Sequence, residues 1–268
     1  MAEQGGGFSA DWLALREPVD HASINAEVRR QLLRAISSRD RLRIVDLGSG
    51  TGSNYRGLAP WLPATEQHWL LCDIEPDLLA VAESTERLPR TAIETLQADF
   101  NGQDLDRLTS GADVITAAAF FDVASQDVVE RIAVATAAAG AAFYTVLTYD
   151  GLAAWFPEHP LNSEMRSAFN AHQETDKGMG TALGPRATQA LADAFAARGY
   201  TVHRGPSPWV IRPEHQALQR ALDTGWAQAA VESSYVTRAD ADAWIEARHV
   251  PDAVSVVGHE DLLALPPA

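Results

Sequence analysis

Four aspartates and one glycine turn carry most of the chemistry this sequence can do. Asp46 stands two residues before Gly48, and Gly48, Gly50 and Gly52 fall on alternate positions. Glycine admits backbone angles closed to other residues and lets a ligand approach the main chain. Asn54 follows as a candidate helix cap, so a helix start with free N–H groups is expected there. Such a turn cradles nucleotide-type ligands. The spacing narrows the ligand. A dinucleotide turn needs G-x-G-x-x-G, whereas here the third glycine arrives one residue early and Ser53 stands in place of the last small residue. A carboxylate at Asp46 would repel a pyrophosphate and suit a ligand with a cationic amino group and a sulfonium.

These groups need elements to hold them. Leu42, Ile44, Val45 and Leu47 form an apolar run, which suits a strand buried on both faces of a parallel sheet. Further apolar runs follow at His68–Asp73, Ala92–Ala98, Ala112–Ala118 and Ala141–Thr148, with helical stretches between them. That alternation predicts an α/β, doubly wound, mostly parallel sheet with helices on both faces. Right-handed crossovers then bring the strand C-termini to one edge, where ligands bind. Asp46, Asp73, Asp99 and Asp122 all lie at or near that edge. Asp73 comes about 20 residues after Gly52, the distance at which a second-strand acid meets ribose hydroxyls. Its other reading is a helix N-cap.

The D-x-G-x-G-x-G form of residues 46–52 resembles motif I of the class I S-adenosylmethionine-dependent methyltransferases, and the order of elements over residues 40–150 is similar to theirs. The resemblance implies S-adenosylmethionine as cofactor and a seven-stranded sheet. It places Asp46, Gly48, Gly50, Gly52 and Asn54 around the cofactor, with Asp73 and Ile74 at the ribose. An acid at Asp99 would take the adenine amino group and Phe100 would cover the ring; the rival reading of Asp99 is an ordinary loop of turn composition. The end of the fourth strand, at Ala118, would lie beside the methyl donor. Asp122 is then a candidate general base or substrate-orienting acid, or else a cap of the helix that follows.

Residues 1–39 are expected to form a helical lid. Ile24, Val28, Leu32 and Ile36 share one face, and the Gly5–Gly7 run is expected to be an unstructured start. Arg16 either reaches the cofactor carboxylate or belongs to a solvated helix end before Pro18. Residues 149–185 break the alternation and sit where this family builds a substrate cap; a loop-rich insert of that length is more often functional than idle. Trp155, Phe156, His159, His172, Asp176 and Lys177 are its pocket candidates, with His172 also a catalytic candidate. No metal is expected, since His159 and His172 have no third ligand at suitable spacing. Residues 40–148 and 186–268 would complete the core. Trp209 could reach the active-site edge. The resemblance implies a last strand that is antiparallel and inserted between strands five and six; it is assigned to the tail from Ala253, the alternative being Trp209–Arg212.

Composition sets limits. The chain has 268 residues, 46% hydrophobic, and a net charge of −15 from 36 acids against 21 lysines and arginines. No basic patch for phosphate backbones is visible, which argues against nucleic acid and anionic membranes as partners. The single cysteine, Cys72, and the lack of any signal-like or membrane-length apolar segment point to a cytoplasmic protein, monomeric or homodimeric. The expected activity is methyl transfer to oxygen or nitrogen of a small molecule. The rivals are an NAD-dependent oxidoreductase and a non-catalytic binding protein.

Overall fold

Apolar strands and amphipathic helices alternate along most of the chain, and they assemble into one twisted sheet covered on both faces. The computed structural model describes residues 8–102 and 105–267; the Gly5–Gly7 run lies outside them. Helices α1 (Ala10–Ser23) and α2 (Ala26–Ala35) lead into β1 (Arg41–Leu47) and α3 (Ser53–Leu58). Then come β2 (Glu66–Asp73), α4 (Pro76–Glu83), β3 (Thr91–Gln97), α5 (Leu105–Thr109), β4 (Val114–Ala118) and α6 (Gln126–Ala139). The second half holds β5 (Ala142–Phe156), α7 (Asn162–Gln173), α8 (Ala187–Ala196), β6 (Thr201–Pro206), β7 (Trp209–Ile211), α9 (Gln216–Glu232), α10 (Arg238–Arg248) and β8 (Val254–Leu265).

The strand order is β3-β2-β1-β4-β5-β8-β6. The pairs among β1 to β5 are parallel, and β8 runs antiparallel between β5 and β6. The chain reverses its direction of travel across the sheet between β1 and β4, which opens a crevice beyond the strand C-termini. One apolar core, with Leu32, Ile44, Trp69 and Trp226, lies under α1–α4, α7, α9 and α10; the other, with Val45, Ile115, Phe143 and Phe195, lies under α5, α6 and α8.

The tail is the antiparallel strand, as expected, but the sheet has eight strands instead of seven. Trp209–Ile211 is a short extra strand that pairs with Val257–Ser255 of β8, while β6 pairs with the stretch from Glu260 to Leu265. Pro206 and Pro208 supply no backbone donor, so what would be one long strand beside β8 is broken in two. The expected insert at 149–185 also begins differently. β5 continues to Phe156 with two register irregularities, near Thr145–Thr148 and Tyr149–Ala153, and α7 fills much of the remainder. The N-terminal stretch is two helices. Asn25 breaks them apart by capping α2, its side chain accepting from the Glu27 and Val28 N–H groups. α1 does not end before Pro18 but runs through it to Ser23. No helix among the described residues is long and apolar enough to cross a membrane.

Candidate functional site

β1 ends at Leu47, and the chain turns through Gly48 at φ +64°. A Cβ on Gly48 would stand 2.5 Å from the Phe120 ring, so neither the angle nor the space admits a larger residue. Gly52, at φ +81°, is the residue that caps α3. Asn54, the expected cap, lies one position inside the helix. Its Nδ2 donates to Asp46 Oδ1 (2.7 Å) and to Thr116 Oγ1 (3.0 Å), fastening β1, α3 and β4 together.

Asp46 is turned toward Asn54 and does not line the cavity above it. It is fully buried beneath the turn, and its Oδ2 has no partner. Burial pushes its carboxyl up to about 7, with Asp73 pushing the same way and the Asn54 hydrogen bond opposing. The contact that Asp46 makes is the structural one through Asn54.

Above this floor lies a cavity of about 330 Å³, within the range of ligand pockets. Gly48, Gly50 and Asn54 line it, as do Asp73, Ile74, Asp99, Phe100 and Ala118. Gly52 does not; it faces Ala82 and Leu71. Asp73 Oδ2 accepts from the Gly50 N–H (2.7 Å) and Oδ1 from the Glu75 N–H (3.0 Å). Each oxygen keeps a second acceptor site, enough for a vicinal diol. α4 is capped by Glu75 without a side-chain bond, so Asp73 is not its cap. Asp99 is exposed at the rim, where its Oδ1 accepts from the Asn101 N–H (2.9 Å); it makes the expected turn and also lines the cavity. Phe100 is buried edge-on to Phe120, centroids 5.4 Å apart. Ile74 is 53% exposed at the mouth, an apolar surface available to a ring.

The N-terminal helices close the other side. Arg16 is buried, not solvated: its Nε donates to Asp20 Oδ2 at 2.8 Å and its guanidinium lies 5.0 Å from the Trp209 ring centroid. Arg16 and Asp20 both line the cavity, with Leu13 and His21 beside them. His21 Nε2 lies 2.9 Å from the Ser53 carbonyl, so α1 touches the start of α3 directly. Ser49 also lines the cavity, with an unpartnered, buried hydroxyl.

Several expected residues stand elsewhere. Trp155 points inward because the β5 extension alternates sides; its ring packs on Trp226 (4.9 Å) and Trp244 (5.4 Å) in the core. Phe156, next along, points out and is 60% exposed. His159 accepts the Leu161 N–H at the start of α7 (3.2 Å). Trp209 is buried behind Arg16 and against His259, and does not line the cavity. Asp176 takes the Gly178 N–H (2.8 Å) and shapes a small hairpin closed by the Asp176–Thr181 bridge. Asp122 lies in a turn after β4, half-buried; its Oδ1 is shielded and unpartnered, and burial raises its pKa. Its neighbours Phe120 and Val123 reach the cavity; Asp122 itself does not. His172 stays one step back, with Nδ1 3.3 Å from Lys177 Nζ. Lys177 lines the cavity at the hairpin tip, beside Gly178 and Met179. Among the described residues no group of three or more His, Cys, Asp or Glu side chains could hold a metal ion.

Sequence reasoning passed over Phe120 and Leu147. The signal for Leu147 is tertiary, since it lies in the β5 irregularity at φ +59°.

Neither a protein-family model nor a curated protein matches the sequence. Solved structures match in shape. A cyclopropane synthase from Mycobacterium tuberculosis aligns with a TM-score of 0.53 at 14% identity, over 96% of this chain and 94% of that one. A candidate methyltransferase from Bacillus halodurans aligns at 0.50 and 12% identity, over 89% and 97%. The chain has the class I methyltransferase fold. The YcgJ protein of Bacillus subtilis shares it as well, at 0.51 and 12% identity over 91% and 100% of the two chains. In the methyltransferase fold seen here, the cavity occupies the crevice beyond the C-termini of β1, β2 and β4.

Proposed function

We propose that the protein is an S-adenosylmethionine-dependent methyltransferase acting on oxygen or nitrogen of a small molecule. The observation that carries this reading is the cavity that joins the Gly48–Gly50 turn, Asp73, Asp99 and Arg16. Its polar groups suit the parts of that cofactor. Asp73 accepts from ribose hydroxyls, Asp99 from an exocyclic amine, and Ile74 and Phe100 flank a flat ring. Arg16, with its Nε tied to Asp20, retains donors for a carboxylate. When bound, the cofactor supplies an electrophilic methyl group. The protein's task is to align an acceptor with it in a space closed by α1 and the 176–181 hairpin, and such positioning contributes on the order of 7–11 kcal/mol.

Calorimetric titration with S-adenosylmethionine and with NAD tests the cofactor, and a methyl-transfer panel of alcohols, phenols and amines tests the reaction. Binding of S-adenosylmethionine with turnover of a panel member supports the reading. Binding of NAD alone overturns it in favour of an oxidoreductase, and cofactor binding without turnover of any acceptor favours a non-catalytic binding protein.

A further inference from the structure

Twenty of the chain's 21 basic residues are arginine, and Lys177 is its only lysine. Among the described residues, arginine makes the surface ion pairs other than two histidine–glutamate pairs. The one thing arginine cannot do is give up its proton near neutral pH. The single exception stands at the cavity wall.

Its surroundings form a chain that leads outward. Lys177 Nζ lies 3.3 Å from His172 Nδ1 at the end of α7, and His172 Nε2 lies 3.6 Å from Glu232 Oε2 at the end of α9. Glu232 is half exposed, so the chain ends in water. Asp122, in the turn after β4, adds a negative charge near enough to favour the Lys177 ammonium. The hairpin bearing Lys177 is fixed at two points. Asn101 Nδ2 donates to the Gly178 carbonyl (2.9 Å), and Ala182 bridges Ser125.

We propose that Lys177 is the proton acceptor of the transfer reaction, and that His172 and Glu232 carry the proton from it to solvent. This deepens the methyltransferase reading and rests on it. Methylating an O–H or N–H acceptor releases one proton per turnover. As the acceptor's lone pair bonds to the methyl carbon, the carbon–sulfur pair stays on sulfur and the acceptor's proton moves to the Nζ lone pair. The ammonium then donates to His172 Nδ1, while the imidazole releases its Nε2 proton toward Glu232 and water. Lys177 is restored as the neutral amine. The substrate class is an acceptor with a removable proton whose acidity lies near that of an amine: a phenol, or an ammonium that first gives its proton to Nζ and so frees the lone pair that attacks the methyl carbon. Burial lowers the Lys177 pKa against the opposing pull of Glu232 and Asp122. Burial and the Lys177 charge lower that of His172, with Glu232 opposing.

Because the chain has one lysine, protein grown on ε-¹³C-lysine gives a single side-chain resonance, and its titration can be read without any activity. The midpoint is expected below the ordinary lysine value of about 10.4, and lower still in Glu232→Gln, which removes a charge that favours the ammonium. Calorimetry with S-adenosylmethionine is expected to give similar affinities for wild type, Lys177→Met and Lys177→Arg. Both variants are expected to lose roughly 10²–10⁴-fold in kcat on the phenols and primary amines of the panel. In Glu232→Gln the acidic limb of the pH–rate profile is expected to move to lower pH. An ordinary lysine midpoint overturns the relay, and so does a Lys177→Arg variant with wild-type kcat, since a charge anchor would tolerate arginine. Wild-type protein that binds no S-adenosylmethionine instead overturns the reading beneath it.

Discussion

Asp73 joins two structural tasks to the binding role proposed for it. Its oxygens hold the Gly50 and Glu75 N–H groups while its outer face lines the cavity. Replacing it with alanine removes an acceptor from the ribose end and frees the glycine turn. Asp73→Ala is expected to weaken S-adenosylmethionine binding by about 1.5–3 kcal/mol, the usual worth of hydrogen bonds to a charged group, as read by calorimetry. Unchanged affinity would remove Asp73 from the site. The contrast with Asp46 is instructive. Both are aspartates near strand ends with apolar sequence before them, but one faces the cavity and the other faces Asn54 beneath it. Side-chain direction at the end of a strand depends on the local turn, which the residue type does not report.

At the scale of elements, the two N-terminal helices are held by a residue far from them in sequence. Asp261, in β8, accepts from the Asn25 N–H at the break between α1 and α2 (2.7 Å), and from the Leu147 N–H in the β5 irregularity (2.9 Å). One buried carboxylate thus sets the two N-terminal helices and the cavity wall at Leu147. Asp261→Ala would leave both donors unpaired, at a cost of about 1–3 kcal/mol each. Lower stability in urea unfolding and weaker cofactor binding are expected together, and a variant as stable as wild type would sink the anchoring role. The same strand shows why the β6–β7 break matters. Pro206 and Pro208 free the chain from β6, and β7 then brings Trp209 behind Arg16. Trp209 so acts on the cavity by backing a residue that lines it.

For the whole molecule, two buried carboxyls link folding to pH. Burial raises Asp46 to about 7 and Asp261 to about 6, the latter against hydrogen bonds from the Leu147 and Asn25 N–H groups. In the unfolded chain each would ionise near 4. Between those values the folded state holds protons that the unfolded state has released, so stability falls as pH rises from about 4 to about 7. For Asp46 the effect is at most roughly 4 kcal/mol. Asp46→Asn cannot ionise and should flatten this slope. Urea unfolding of both proteins at pH 5 and pH 8 checks it: the variant's stability relative to wild type is expected to rise with pH, and a constant difference would refute the assignment.

The sequence alone determined the parallel α/β order, the glycine turn and the acids that gather at one sheet edge, while the antiparallel direction of the tail strand came from the family resemblance. These follow from periodicity and residue type, which act locally: apolar runs make buried strands, and glycines make turns that other residues cannot. Tertiary structure alone decided which of those acids and aromatics face the cavity. Trp155 went to the core because an irregular β5 kept its alternation past the expected strand end. Asp46 went below the turn because Asn54 reached down to it. Arg16 was drawn inside because Asp20 and Trp209, one helical turn and nearly two hundred residues away, met it there. Contacts of that kind depend on packing between distant segments, and no local pattern encodes where a side chain must turn to find its partner.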